Sequence, residues 1–151
     1  MDKTVIIITA DHSEEFNDSK LGYTGHGSNY TDHQLKVPMI LHWPGKGSVR
    51  FQKRTSHNDI PALLLSELFA CQNPFSDYCS GTNLLSGSEW QWLIVGSYYN
   101  YAILEKDQVT INYPGGFFEI RDKNYQVISN KNIHKQVLVE AINETKRFFS
   151  P

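Results

Sequence analysis

Apolar residues in this chain come in short blocks, separated by polar stretches that carry glycine, proline and asparagine. The first block, Thr4 to Ala10, is a nearly continuous β-branched run, which predicts a strand buried on both faces. Residues 11–35 are polar, with Gly22, Gly25 and Gly27 set among aromatic side chains. They predict a long functional loop with one short helical turn opened by Ser13. Residues 37–43, Val-Pro-Met-Ile-Leu-His-Trp, predict a second strand, stopped by Pro44-Gly45-Lys46-Gly47. The two strands are expected to pair within one sheet. Ile60, Leu63, Leu64 and Leu68 then recur at helical spacing with Phe69 beside them, which predicts a helix over 59–69 buried along that stripe. Asn58 or Asp59 suits its cap and Pro61 its first turn.

After about residue 86 the pattern changes. Residues 90–95, 101–105, 108–112 and 117–121 are short alternating runs divided by Tyr99-Asn100, Lys106-Asp107 and Pro114-Gly115-Gly116, the pattern of an antiparallel meander. Ile133, Val137, Ala141 and the pair Phe148-Phe149, widened by Leu138 and Ile142, predict a closing helix over 131–149. The expected class is α/β, with residues 1–86 and 87–151 as successive parts of one domain.

Composition narrows the function classes. The chain has 151 residues, 40% hydrophobic and 20% charged, which is ordinary for a globular domain. A net charge of −2 gives no electrostatic reason to expect nucleic acid as a partner. No apolar stretch approaches the roughly 20 residues needed to span a bilayer. Met1-Asp2-Lys3 leads straight into a strand, not into the apolar region of a signal peptide, and reads as a start placed ahead of a mid-domain strand. Cys71 and Cys79 lie in a loop with Pro74, a spacing that closes as a local disulfide; the alternative is two unrelated thiols.

The chemistry concentrates where the first strand ends. Asp11 and His12 follow the apolar run directly, and Asp and His suit a divalent ion such as Mn, Zn, Mg or Ca. The plainer alternative is a capped loop in which Asp11 bonds backbone amides. His26 sits between two glycines, which allow close approach of a ligand. His33 and His57 are weaker candidates, and His42, inside a strand, reads as a core histidine. Glu14 and Glu15 read as a solvated helix start.

Thr-Ala-Asp-His-Ser-Glu-Glu at 9–15 resembles the Asp-His-Gly-Glu segment of the alkaline-phosphatase superfamily, to which the sulfatases belong. Gly25-His26-Gly27 resembles its downstream His-Gly, Lys36 to Gly45 its Val-Pro-strand-Pro-Gly element, Ser56 to Ile60 the start of its next helix, and Phe118 to Asp122 a late strand of its C-terminal sheet. Within the superfamily, His42-Trp43-Pro44-Gly45 and the Phe117 to Asp122 segment resemble the YejM/PbgA-type inner-membrane proteins of Gram-negative bacteria. The resemblance implies a partial three-layer sulfatase-like core followed by an antiparallel sheet and helix. It also implies a periplasmic location on the inner membrane and a link to lipopolysaccharide and outer-membrane lipids.

By the same resemblance, Asp11 and His12 are metal ligands, His26 contacts a substrate's anionic group, and Glu14 stands at the family's acidic position. Ser13 replaces the family's glycine. The nucleophile is expected outside this chain. The implied activity is hydrolysis of sulfate or phosphate esters; the alternatives are transfer of phosphoethanolamine or phosphoglycerol, or a non-catalytic lipid-sensing role. The implied partners are the remainder of a longer membrane protein, lipid or lipopolysaccharide, and a second copy of the chain through uncovered apolar surface.

Overall fold

The computed structural model describes residues 3–148. They divide into two compact units, one formed by the chain up to Val49 with Trp92–Ala141, the other by Arg50–Gln91 with the stretch from Ile142 onward.

In the first unit the two early strands do pair, as β1 (Ile6–Thr9) and β4 (Met39–His42), antiparallel and with Ile8 opposite Ile40. They are not buried on both faces. Ile8 and Ile40 are 58% and 61% exposed, because this sheet has two strands and only one side of it is covered. His42, expected in the core, is exposed at the end of β4. Between these strands the loop carries a small hairpin, β2 (Glu15–Phe16) with β3 (Thr24–Gly25), and the short helix α1 (Asp32–Leu35). The helical turn therefore lies late in the loop. Ser13 instead donates its backbone N–H to the Gln34 carbonyl (3.3 Å), tying the start of the loop to its end.

The meander forms as its alternation requires: β5 (Trp92–Gly96), β6 (Tyr101–Glu105), β7 (Val109–Asn112) and β8 (Phe118–Arg121) pair in sequence order, all antiparallel. Ala102 and Ile111 pack with Tyr30 and Tyr125 into a buried cluster, flanked by Tyr23, Leu35, Val95, Leu104 and Val109. Tyr30 donates its backbone N–H to the Tyr125 hydroxyl (3.2 Å), so the loop before α1 is fastened to the sheet. Burial pushes the Tyr125 phenol up to about 12. The closing helix α3 (Lys135–Arg147) buries Ala141, with Val137 and Leu138 half-buried. Phe148 is half exposed, and Phe149 lies outside the described residues.

The second unit is built around α2 (Asp59–Glu67). Its buried residues are Asp59, Ala62 and Leu63, while Leu68 and Phe69, counted in the apolar stripe by spacing, lie beyond the helix end and are exposed. Asp59 works as a buried acceptor. Its carboxylate takes N–H donors from Ser56 (2.8 Å), Thr82 (2.8 Å) and the Trp90 indole (3.0 Å). With the Thr82 hydroxyl, four donor groups from three separate parts of the chain thus close around the first turn of α2 on this one carboxylate.

Cys71 and Cys79 are free thiols, where the sequence suggested a disulfide. Cys71 faces the Asn73 side chain and Cys79, buried, faces the Gly81 carbonyl, so the two sulfurs point to different partners. Unreduced, denatured protein is expected to take up two alkyl groups by intact mass; a mass with none would restore the disulfide. The architecture is mixed α/β, with small sheets and a C-terminal helix, consistent with a partial sulfatase-like core.

Candidate metal centre

The loop after β1 and the hairpin β2–β3 bring three side chains together. One ligand atom from each of His12, Glu14 and His26 lies within 4.8 Å of the others. Glu14 Oε2 is 2.9 Å from His26 Nδ1, and the His12 and His26 rings stack with centroids 3.7 Å apart. Two imidazoles and a carboxylate are the donor set of many divalent-cation sites, and the group is open enough to solvent to admit an ion. It can coordinate a divalent metal.

Local backbone chemistry explains the convergence. Gly25 and Gly27 both take positive φ, +92° and +65°, which turns the chain sharply on either side of His26. At Gly27 there is a second reason for glycine: a Cβ there would lie 3.0 Å from the Tyr98 ring. The close approach is thus to another part of the protein. Ser13 is absent from the residues with left-handed backbone, so a glycine is not needed between His12 and Glu14.

Beneath the group lies a residue whose role the sequence concealed. Glu15 is fully buried. Its Oε2 accepts from Asn29 (2.8 Å), Gln34 (3.0 Å) and Thr31 (3.2 Å), and its Oε1 from the backbone and hydroxyl of Ser19. Burial pushes its carboxyl up, but the donors of Asn29, Ser19 and Gln34 outweigh burial and hold it down to about 2. Glu14 stands just before β2 and joins the ligand group, whereas Glu15, which opens β2, is buried in the loop.

Asp11 is exposed and stands beside the three-residue group, outside it. Its Oδ1 accepts the His12 backbone N–H (3.0 Å), and this bond holds its carboxyl below the usual range. His33 is exposed on α1, and His57 is exposed in the turn before α2; neither joins the group.

The stretch that carries β1, this loop, β4 and α2 is also the stretch that comparison recognises. Residues 1–68 match the sulfatase family. Over nearly its whole length, the chain is 23% identical across 150 residues to the "Inner membrane protein YejM" of Salmonella typhimurium, covering 99% of this chain and 25% of that protein. An "Uncharacterized protein" of Haemophilus influenzae is 23% identical over 151 residues, with the same coverage of 99% and 25%. The homology is distant but runs the length of the chain. The chain spans a quarter of the length of these relatives (25%). No helix among the described residues is long and apolar enough to cross a membrane.

Proposed function

We propose that this chain is part of a periplasmic, inner-membrane, sulfatase-like hydrolase that uses a divalent metal ion to cleave sulfate or phosphate esters, with a link to lipopolysaccharide and outer-membrane lipids. The observation that carries this is the His12–Glu14–His26 group, set within the segment that matches the sulfatase family. Residues 1–86 and 87–151 are read as successive parts of one sulfatase-like domain. The exposed Ile8 and Ile40 pair on β1 and β4 fits a surface covered by the remainder of a longer protein.

Here His12 and Glu14 would hold the ion. Asp11 supplies a further carboxylate one residue away, already kept ionised by its backbone bond. His26 serves either as a third ligand or as a contact to the ester's anionic group. When bound, the ion polarises the ester and offsets charge developing on its oxygens. Glu15 fixes the loop geometry from below by drawing Ser19, Asn29, Thr31 and Gln34 onto one carboxylate.

Calorimetric titration with Zn, Mn, Mg and Ca separately is the direct test. At least one ion is expected to bind one to one, and His12→Ala or Glu14→Gln should each weaken it by about tenfold or more. Tight binding that ignores both substitutions, or no binding of any of the four ions, would refute the metal reading. His26→Ala separates its two roles: a ligand loses ion affinity, whereas a substrate contact leaves it unchanged and weakens only ester binding.

A further inference from the structure

The four-stranded sheet is polarised. Gly96, Tyr101, Asn112 and Phe118 form one rank across all four strands, so the β5–β6 and β7–β8 turns extend from the same end. That end carries Tyr98, Tyr99, Tyr101, Tyr113, Phe117 and Phe118, all exposed, with Tyr99 and Phe117 at 81% and 74%. No charged residue occurs in residues 96–104 or 110–118. The first acidic residue beyond them, Glu119, sits one rank inward and is ion-paired with Arg121 at 2.5 Å. The opposite end of the sheet is strongly charged: Glu105, Lys106 and Asp107 at the β6–β7 turn, and Arg121, Asp122 and Lys123 after β8.

We infer that this aromatic end is a membrane-docking surface, seated at the headgroup boundary of a phospholipid bilayer. Four tyrosines and two phenylalanines with no charge form the composition suited to that boundary, where rings enter the apolar side and phenol hydroxyls stay wet. An uncharged end opposite a charged one gives the sheet one orientation at such a surface. The choice of a bilayer as occupant rests on the inner-membrane placement proposed above. The docking end also adjoins the ligand group. Tyr98 donates its backbone N–H to the Gly27 carbonyl (3.3 Å), and its ring centroid lies 6.3 Å from that of His26. An ester carried on a lipid headgroup would therefore be presented beside His12, Glu14 and His26.

The test is vesicle flotation of the 151-residue chain with phosphatidylcholine vesicles at low and high salt. Binding that persists at high salt is expected, because the surface is uncharged. The double variant Tyr99→Ser/Phe117→Ser should lose at least about tenfold in partitioning, since each exposed ring removed takes away its apolar transfer contribution. Phe69→Ser, which removes an exposed ring in the other unit (68% exposed), should leave binding unchanged. Circular dichroism checks that all variants are folded. The inference is overturned if the intact chain does not float, if the double variant floats equally, or if Phe69→Ser loses as much. Retention on a neutral glycan matrix without flotation, or a dimer abolished by the double variant without flotation, overturns it too and assigns the end to sugar or to a second copy. Ion titration is a separate readout, so a chain that floats but binds no metal retains this inference and loses the metal reading.

Discussion

Replacing Glu15 by alanine is expected to destabilise the protein by about 3 kcal/mol or more. The loss is large because the side chain has no exposure and gathers donors from Ser19, Asn29, Thr31 and Gln34. Alanine leaves those buried donors without an acceptor, and each unpaired group carries its own desolvation cost. Glu15→Gln should lose less in total, since one oxygen remains, but its amide N–H groups then face donors. The pH dependence has a definite sign. The folded carboxyl is held at about 2, below its ordinary 4.5, so its stabilisation is complete above about pH 4.5 and disappears as pH falls through 2. The carboxylate lies close beneath the surface, and after solvent screening the pH-dependent part comes to about 2 kcal/mol. Urea unfolding at pH 7 and pH 3 would check both claims. The native protein should weaken between them, and Glu15→Gln should show a smaller decline. Equal declines would mean that Glu15 is not the group responsible.

Gly81→Ala should disrupt the second unit by a comparable or greater amount, about 3 kcal/mol or more. A Cβ at Gly81 would lie 1.7 Å from the Asn58 carbonyl oxygen and 2.7 Å from the Asp59 nitrogen. These are backbone atoms at the start of α2, so no rotamer change relieves the overlap. The chain must move, and the Thr82 N–H then leaves its 2.8 Å bond to Asp59. Asp59 would keep its burial while losing part of its donor set, the costly combination for a carboxylate. Gly87→Ala is the matched control, because nothing lies within 4 Å of a Cβ there, and it should change stability by no more than about 0.5 kcal/mol. Thermal melts of both variants decide: a Gly81→Ala protein as stable as its control would mean that the contact with α2 is not maintained in solution.

Local physics carried much of the fold into the sequence. The meander was legible because alternation in 90–121 and its turn residues specify both the strands and their neighbours; each hairpin closes over a few residues. The closing helix and α2 were legible from apolar spacing, as was the pairing of β1 with β4. Spacing could not say which side of α2 would be covered. Leu68 and Phe69 match the stripe but lie past the helix end, while Asp59 is drawn inside by Ser56, Thr82 and Trp90. A polar residue is buried when donors converge on it, and those donors are 3 to 31 positions away.

The candidate metal centre divides in the same way. The sequence by itself determined that acid and imidazole groups follow β1 and that glycines flank His26, because strand ends and positive-φ turns are local properties. It did not determine the set that meets. His26 is 12 positions from Glu14, and only the β2–β3 hairpin, with Glu15 as its buried anchor, sets them 2.9 Å apart while leaving Asp11 beside the group. The aromatic end follows the same rule. The sequence supplied two uncharged aromatic turns, 97–100 and 113–117, but only the register of four strands placed both at one end of the sheet, next to His26. Chain-local conformational preference reaches a few residues; burial, charge pairing and ligand grouping depend on distances that exist only once the chain has closed on itself.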